Sequence, residues 1–118
     1  MSQSSSLPNA VVTIGSIEAF NNLVNKFREN LIVVEFFADW CNPCKQFKPI
    51  YEQLQKEYYS KGVIFTRVNS EEFPEVMQQF NIMGVPSMLF IKNKVGKQRT
   101  TGAMSRGQFI QLVNSLLE

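Results

Sequence analysis

Residues 31–45 read Leu31-Ile32-Val33-Val34-Glu35-Phe36-Phe37-Ala38-Asp39-Trp40-Cys41-Asn42-Pro43-Cys44-Lys45. Leu31 to Ala38 is a nearly unbroken apolar run carrying one charge, Glu35. Such a run suits a strand buried on both faces, as in a parallel sheet. A Cys-x-x-Cys pair follows at once, and Pro43 pre-sets the backbone for a first helical turn. Buried strand, cysteine pair, helix is therefore the order from which the rest of the chain is read.

Downstream, Phe47, Ile50, Tyr51, Leu54 and Tyr58 recur at helical spacing. The pattern continues past Pro49, which should kink the helix rather than end it. Val63 to Val68 is a further strand candidate, and Phe73-Pro74 opens a short helix carrying Val76, Met77 and Phe80. Ser87 to Ile91 and Gln98 to Thr101 read as a hairpin whose turn contains Asn93 and Gly96. Ser105 and Gln108 form a capping box before a last helix faced by Phe109, Leu112, Val113 and Leu116.

Upstream, Val11 to Ile14 is a short β-branched run. Ser16 is placed to cap a helix with an apolar face of Ile17, Phe20, Val24 and Phe27. Residues 1–9, Ser-rich and without apolar periodicity, read as a flexible lead, and 10–118 as one domain. The order β-α-β-α-β-α-β-β-α predicts an α/β fold: a central mixed five-stranded sheet flanked by about four helices.

Composition narrows the chemistry. The chain has 118 residues, 44% of them hydrophobic, enough for one domain with a proper core. Lys plus Arg number 12 against 10 Asp plus Glu, a balance too even and too scattered for a nucleic-acid footprint. The ten Phe residues lie at core-compatible spacings and read as packing, not as a base-stacking surface. No apolar run reaches the ~20 residues of a bilayer helix, and the N-terminus has no secretory pattern. The expected compartment is the cytoplasm, where thiols are mostly kept reduced. The absence of histidine removes Ser-His-Asp and Cys-His hydrolases and His-ligated haem. Two cysteines cannot alone build a structural zinc or iron–sulfur site in one chain.

Two cysteines at the start of a helix occupy unequal environments. Cys41 should sit at the positive helix end, near unpaired N–H groups that stabilise a thiolate, and Cys44 should be more buried a turn further in. That inequality allows thiol–disulfide exchange: Cys41 attacks a substrate disulfide and Cys44 resolves the mixed disulfide. The plainer reading is a static bridge or two ordinary buried thiols. So short a loop constrains the unfolded chain little, which makes stability a poor reason for a bridge here.

The segment Ile32 to Lys45 resembles the active-site segment of thioredoxins, with Trp40-Cys41-Asn42-Pro43-Cys44 at its centre. Pro49 matches the family's kink proline, Gly84-Val85-Pro86-Ser87 resembles the loop whose proline is cis in that family, and Gly102 to Phe109 is similar to the family's last turn and helix start. The likeness runs in order from about Val11 to the C-terminus. It implies the thioredoxin fold and a dithiol oxidoreductase that reduces protein disulfides, with Cys41 as nucleophile and Cys44 as resolving thiol. It implies no bound cofactor: the redox group is the Cys41–Cys44 disulfide, and electrons come from NADPH through a thioredoxin reductase. Family-typical clients are peroxiredoxin, ribonucleotide reductase and methionine sulfoxide reductase, with no nucleic-acid or membrane partner and a monomer as the expected state. Trp40, Val85, Pro86, Gly102 and Ala103 would form an apolar docking rim, with Asn42 and Pro43 beside them.

Three residues depart from the family pattern. Asn42 replaces the usual Gly between the cysteines, Glu35 the usual buried Asp, and Ser87 a common Thr. Glu35 has two readings. Desolvation should raise its pKa and let it take the Cys44 proton; alternatively its longer chain reaches water or pairs with a lysine or arginine. Trp40 is either core or an exposed contact residue, and Met83 and Met104 are either rim or filler. Two rival functions use the same fold, a disulfide isomerase or oxidase and a non-catalytic interaction module.

Overall fold

The computed structural model describes residues 7–118. The first six residues of the expected N-terminal lead lie outside the described residues. Of the last three, Leu7 packs against the core, and Asn9 accepts hydrogen bonds from Gln55 and Lys56.

Nine elements follow the expected order: β1 (Val12–Thr13), α1 (Ile17–Lys26), β2 (Ile32–Phe37), α2 (Asn42–Tyr58), β3 (Ile64–Asn69), α3 (Pro74–Gln79), β4 (Ser87–Lys92), β5 (Val95–Thr101) and α4 (Arg106–Leu117). The five strands form one sheet in the order β1-β3-β2-β4-β5. β3 pairs in parallel with β1 and β2, while β4 runs antiparallel to both β2 and β5. The crossover helices make the first half parallel and the tight hairpin makes the second antiparallel.

The apolar run in β2 is explained by its central place. Side chains alternate across a strand, so Ile32, Val34 and Phe36 enter the core beneath α1 and α3, and Leu31 and Val33 enter the core beneath α2 and α4. By the same alternation Glu35 falls on the α2 side of the sheet, and Arg67 lies directly opposite it on β3. Two buried hydroxyls, of Tyr51 and Thr66, are tied down. Tyr51 donates to the Thr66 carbonyl at 2.6 Å, and the Thr66 hydroxyl donates to the Val33 carbonyl at 2.9 Å.

Local signals set the element ends. Ser16 caps α1 by accepting from the Ala19 N–H at 3.0 Å. The Ser105–Gln108 box is present in both directions at the start of α4. α2 runs through Pro49 to Tyr58, then tightens into a 3₁₀ turn that ends at Gly62 with φ 76°.

The hairpin corrects the sequence reading. Its turn is Asn93-Lys94, both at positive φ (54° and 66°), and β5 already starts at Val95. Two-residue turns of that hand match the twist of the flanking strands. Gly96 is not a turn residue; it pairs with Ile91, while Gln98 pairs with Phe90, so Lys97 is an extra residue bulged from the ladder. The β5 edge is exposed along nearly its whole length, so no apolar alternation marks where it begins.

Candidate functional site

The site sits where β2 ends and α2 begins. Cys41 is in extended conformation, is the N-cap of α2, and donates its own N–H to the Ala38 carbonyl at 3.1 Å. Asn42 and Pro43 form the first helical positions, and Cys44 follows in the first turn. Cys41 and Cys44 form a disulfide with their Cα atoms 5.3 Å apart. The Cys44 N–H donates to the Cys41 Sγ at 3.2 Å, so the helix end points an orphan donor at the first sulfur.

One expectation is corrected here. Cys41 was expected to be the accessible sulfur, yet in the disulfide form both cysteines are buried, at 3% and 2% exposure. They share a buried cluster with Ala38, against which Phe37 and Val85 pack. The inequality between them therefore lies in hydrogen bonding and in their places on the helix, not in exposure.

The Val85–Pro86 peptide bond is cis, and Val85 packs against the cluster of Ala38, Cys41 and Cys44. The loop is held at both ends. The Ser87 hydroxyl donates to the Gly84 carbonyl at 2.7 Å, and the Gly102 N–H donates to the Pro86 carbonyl at 2.8 Å. Gly102 is at φ 95°, a conformation that side chains oppose, which accounts for glycine there. Pro43, Pro86, Gly102 and Ala103 line one apolar cavity of about 140 Å³, to which Ile50 and Met104 also contribute. The structure does not bring Trp40, Asn42 or Val85 to this cavity. The sequence pattern places Ile50 only on a helix face and gives no signal for Met88, which also lines the cavity; Met104, rim or filler by sequence, is part of its wall. Met83 is 92% exposed.

Trp40 is 65% exposed, a surface residue and not core. Its indole N–H donates to Glu71 Oε2 at 2.7 Å, and the Glu71 backbone N–H is in turn anchored on the Asn69 side chain. Glu71 carries no sequence signal; it is one acid in a loop, brought near by the fold alone.

Glu35 is wholly buried. Both readings of it meet in the structure. Arg67 Nη2 lies 3.6 Å from Glu35 Oε1, outside hydrogen-bond range, and neither carboxylate oxygen has a hydrogen-bond partner. Burial pushes its pKa from 4.5 to about 7, against the opposing pull of the Arg67 cation. The guanidinium is stacked 4.4 Å over the Phe37 ring. A cavity of about 200 Å³ has Cys44, Lys48, Phe37 and Arg67 in its walls. Arg67 was missed in the sequence, although a lone cation inside the Val63–Val68 run was a visible match for a lone acid in the neighbouring strand.

Comparison with known proteins agrees with this geometry. The thioredoxin family model matches residues 11–115. The chain belongs to the thioredoxin family. It is 37% identical over 87 residues to the thioredoxin of Buchnera aphidicola, covering 74% of this chain and 79% of that protein. It is 35% identical over 94 residues to a peptide-N(4)-(N-acetyl-beta-glucosaminyl)asparagine amidase of Caenorhabditis elegans, covering 79% of this chain but only 15% of that protein. The thioredoxin of Fasciola hepatica superposes with a TM-score of 0.83 at 28% identity, covering 89% of this chain and 98% of that one. With the thioredoxin fold and a cysteine pair that closes a disulfide, the chain is a protein-disulfide oxidoreductase. Thioredoxin-family partners are, as a class, disulfide-bearing client proteins and a reductase.

Proposed function

We propose that the chain reduces protein disulfides through Cys41 as nucleophile and Cys44 as resolving thiol. The Cys41 thiolate attacks one sulfur of a client disulfide; that bond breaks, and the other client sulfur leaves as a thiolate that takes up a proton. The Cys44 thiolate then attacks Cys41 Sγ in the mixed disulfide. The second client sulfur leaves, and the Cys41–Cys44 disulfide forms as two electrons pass to the client. The observation that carries the assignment is the Cys44 N–H aimed at Cys41 Sγ from the first turn of α2. That donor stabilises negative charge on the first sulfur when the pair is reduced.

Glu35 takes the Cys44 proton in the resolving step, a role favoured by a carboxyl with a pKa of about 7. Val85 packs against the cluster of Ala38, Cys41 and Cys44, and the Val85–Pro86 backbone offers a place for an extended client segment. Pro43, Pro86, Gly102 and Ala103 receive its apolar side chains, and Trp40, outside that cavity and next to Cys41 in the chain, contributes an exposed ring. Re-reduction is by an NADPH-dependent thioredoxin reductase, in the cytoplasm, and clients are of the peroxiredoxin, ribonucleotide reductase or methionine sulfoxide reductase type. The even charge balance supports protein clients over nucleic acid.

An insulin-reduction assay with a small dithiol tests the assignment. The wild-type chain should speed precipitation of the freed insulin chains, Cys41→Ser should not, and Cys44→Ser should accumulate mixed disulfides on Cys41. Equal activity of Cys41→Ser and wild type would overturn it. A strongly oxidising potential for the couple would favour an isomerase or oxidase instead.

A further inference from the structure

We propose that a groove between the C-terminal ends of α1 and α3 and the outer half of the β4–β5 hairpin docks an acidic segment of a partner protein, away from the dithiol. Two cavities, of about 410 and 380 Å³, meet there and share Gln79 and Phe80 in their walls. Each is within the range of ligand sites, roughly 300–1,000 Å³.

The groove follows from the sheet. Leu89 and Ile91 of β4 face the α1 and α3 side, and their partners on β5 are Arg99 and Gly96. Gly96 has no side chain to fill the space over β5. The floor is apolar: Leu89, Ile91 and the Phe20 and Phe80 rings, which meet edge to face at 5.6 Å. Primary amides form much of the rim, with Asn21 and Asn25 from α1, Gln79 and Asn81 from the end of α3, and Gln98 from β5. The remaining polar wall is Lys94, Lys97 and Arg99, and no carboxylate lines either cavity.

Charge identifies the occupant. Residues 76–117 contain Lys92, Lys94, Lys97, Arg99 and Arg106 and neither Asp nor Glu. The Asn93 N–H donates to the Arg28 carbonyl at 2.7 Å, which brings the Lys26–Arg28 end of α1 to the hairpin tip. Glu29 is adjacent to it in the chain, while Glu18 and Glu75 lie in the first turns of α1 and α3, at the opposite ends of those helices. Arg99 already serves the fold, donating to the Phe80 carbonyl where α3 ends. Lys94 and Lys97 are exposed, and among the described residues no carboxylate lies within ion-pair distance of either.

Amides that both donate and accept suit a peptide backbone, the apolar floor suits its alternate side chains, and the free lysines suit its carboxylates. A phosphate polymer would call for denser cations and exposed rings for stacking. The active-site loop and the groove lie towards opposite ends of β4: Ser87 begins the strand beside the cis proline, whereas Ile91 is near its end. A partner held in the groove would leave the dithiol uncovered.

The test uses the full oxidised chain, ¹⁵N-labelled, titrated at low salt with a short synthetic peptide alternating glutamate and valine. Amide shifts should centre on residues 79–81 and 94–99, and added salt should weaken binding. Lys94→Glu combined with Lys97→Glu should weaken it roughly tenfold, with insulin reduction unchanged. Gly96→Ala keeps the charge but places a methyl 3.4 Å from Leu89 Cδ1, so it should weaken binding by narrowing the groove. Shifts centred on residues 40–44, undiminished affinity in the double variant, equal binding of a lysine–valine peptide, or tighter binding of oligodeoxythymidylate would each overturn the proposal.

Discussion

Glu35 faces Arg67 across 3.6 Å with no hydrogen bond to either oxygen, so burial outweighs the nearby cation and its pKa stands at about 7. Below that pH it is mostly protonated and cannot accept a proton; above it, it can. The Cys44-dependent release of client from the mixed disulfide should therefore quicken as pH rises through about 7. In Glu35→Gln the Glu35-linked rise should vanish and the step should slow by roughly a hundredfold, the low end of general-base contributions. Attack by Cys41 should hardly change. Stopped-flow measurement of the two steps checks this; equal slowing of both would remove Glu35 from the relay. A second residue-scale prediction concerns Glu71. It holds the indole of the chain's one tryptophan by a 2.7 Å hydrogen bond. Glu71→Ala should free the ring, seen as faster decay of tryptophan anisotropy. It should lower kcat/KM for a protein disulfide roughly threefold to tenfold, an effect on the scale of the net contribution of one ordinary hydrogen bond. Reduction of a small disulfide should be unaffected.

At the scale of elements, α4 shows how a short amphipathic helix is held. Only Phe109 and Val113 are fully buried on it. Phe109 is the centre of an aromatic cluster, with ring centroids 5.8 Å from Phe65 and Phe90 and 6.1 Å from Phe47 and Tyr51. Phe109→Ala should cost about 3–5 kcal/mol in a urea melt, with the loss of α4 packing as its cause; a cost below 1 kcal/mol would mean the cluster closes over the gap. These elements were legible because their signals are local: the Ser105 box, the Pro74 start, the spacing of Phe47, Tyr51 and Leu54. The start of β5 was not, because an exposed edge needs no apolar alternation and its turn is made by Asn93-Lys94 in place of a glycine. At the site, Cys41, Cys44 and Pro86 were legible because their chemistry is tied to residue type. Arg67 and Glu71 act only through strand register and loop path. The burial of Cys41 is not legible in the sequence, because Val85, which packs against its cluster, is far along the chain and is brought there by the fold.

For the whole molecule, the buried acid makes folding stability depend on pH. In the unfolded chain Glu35 titrates near 4.5, and in the folded chain near 7. Between those values the folded state binds more protons than the unfolded state, so stability must fall as pH rises across that window and level off above it. The drop attributable to this one group is about 3 kcal/mol. Other carboxylates titrate mostly at the acid edge of the window, so the cleaner quantity is the difference between wild type and Glu35→Gln. Removing the acid also leaves Arg67 facing a neutral amide, which shifts the variant's stability by an amount that does not change with pH in this range, because arginine stays charged. The prediction therefore concerns slope. Urea midpoints of the oxidised proteins, taken between pH 5.5 and 7.5, should fall steadily for wild type relative to Glu35→Gln. Parallel midpoints across that range would mean that Glu35 is already ionised in the fold, and the Arg67 cation, not desolvation, would then govern its charge.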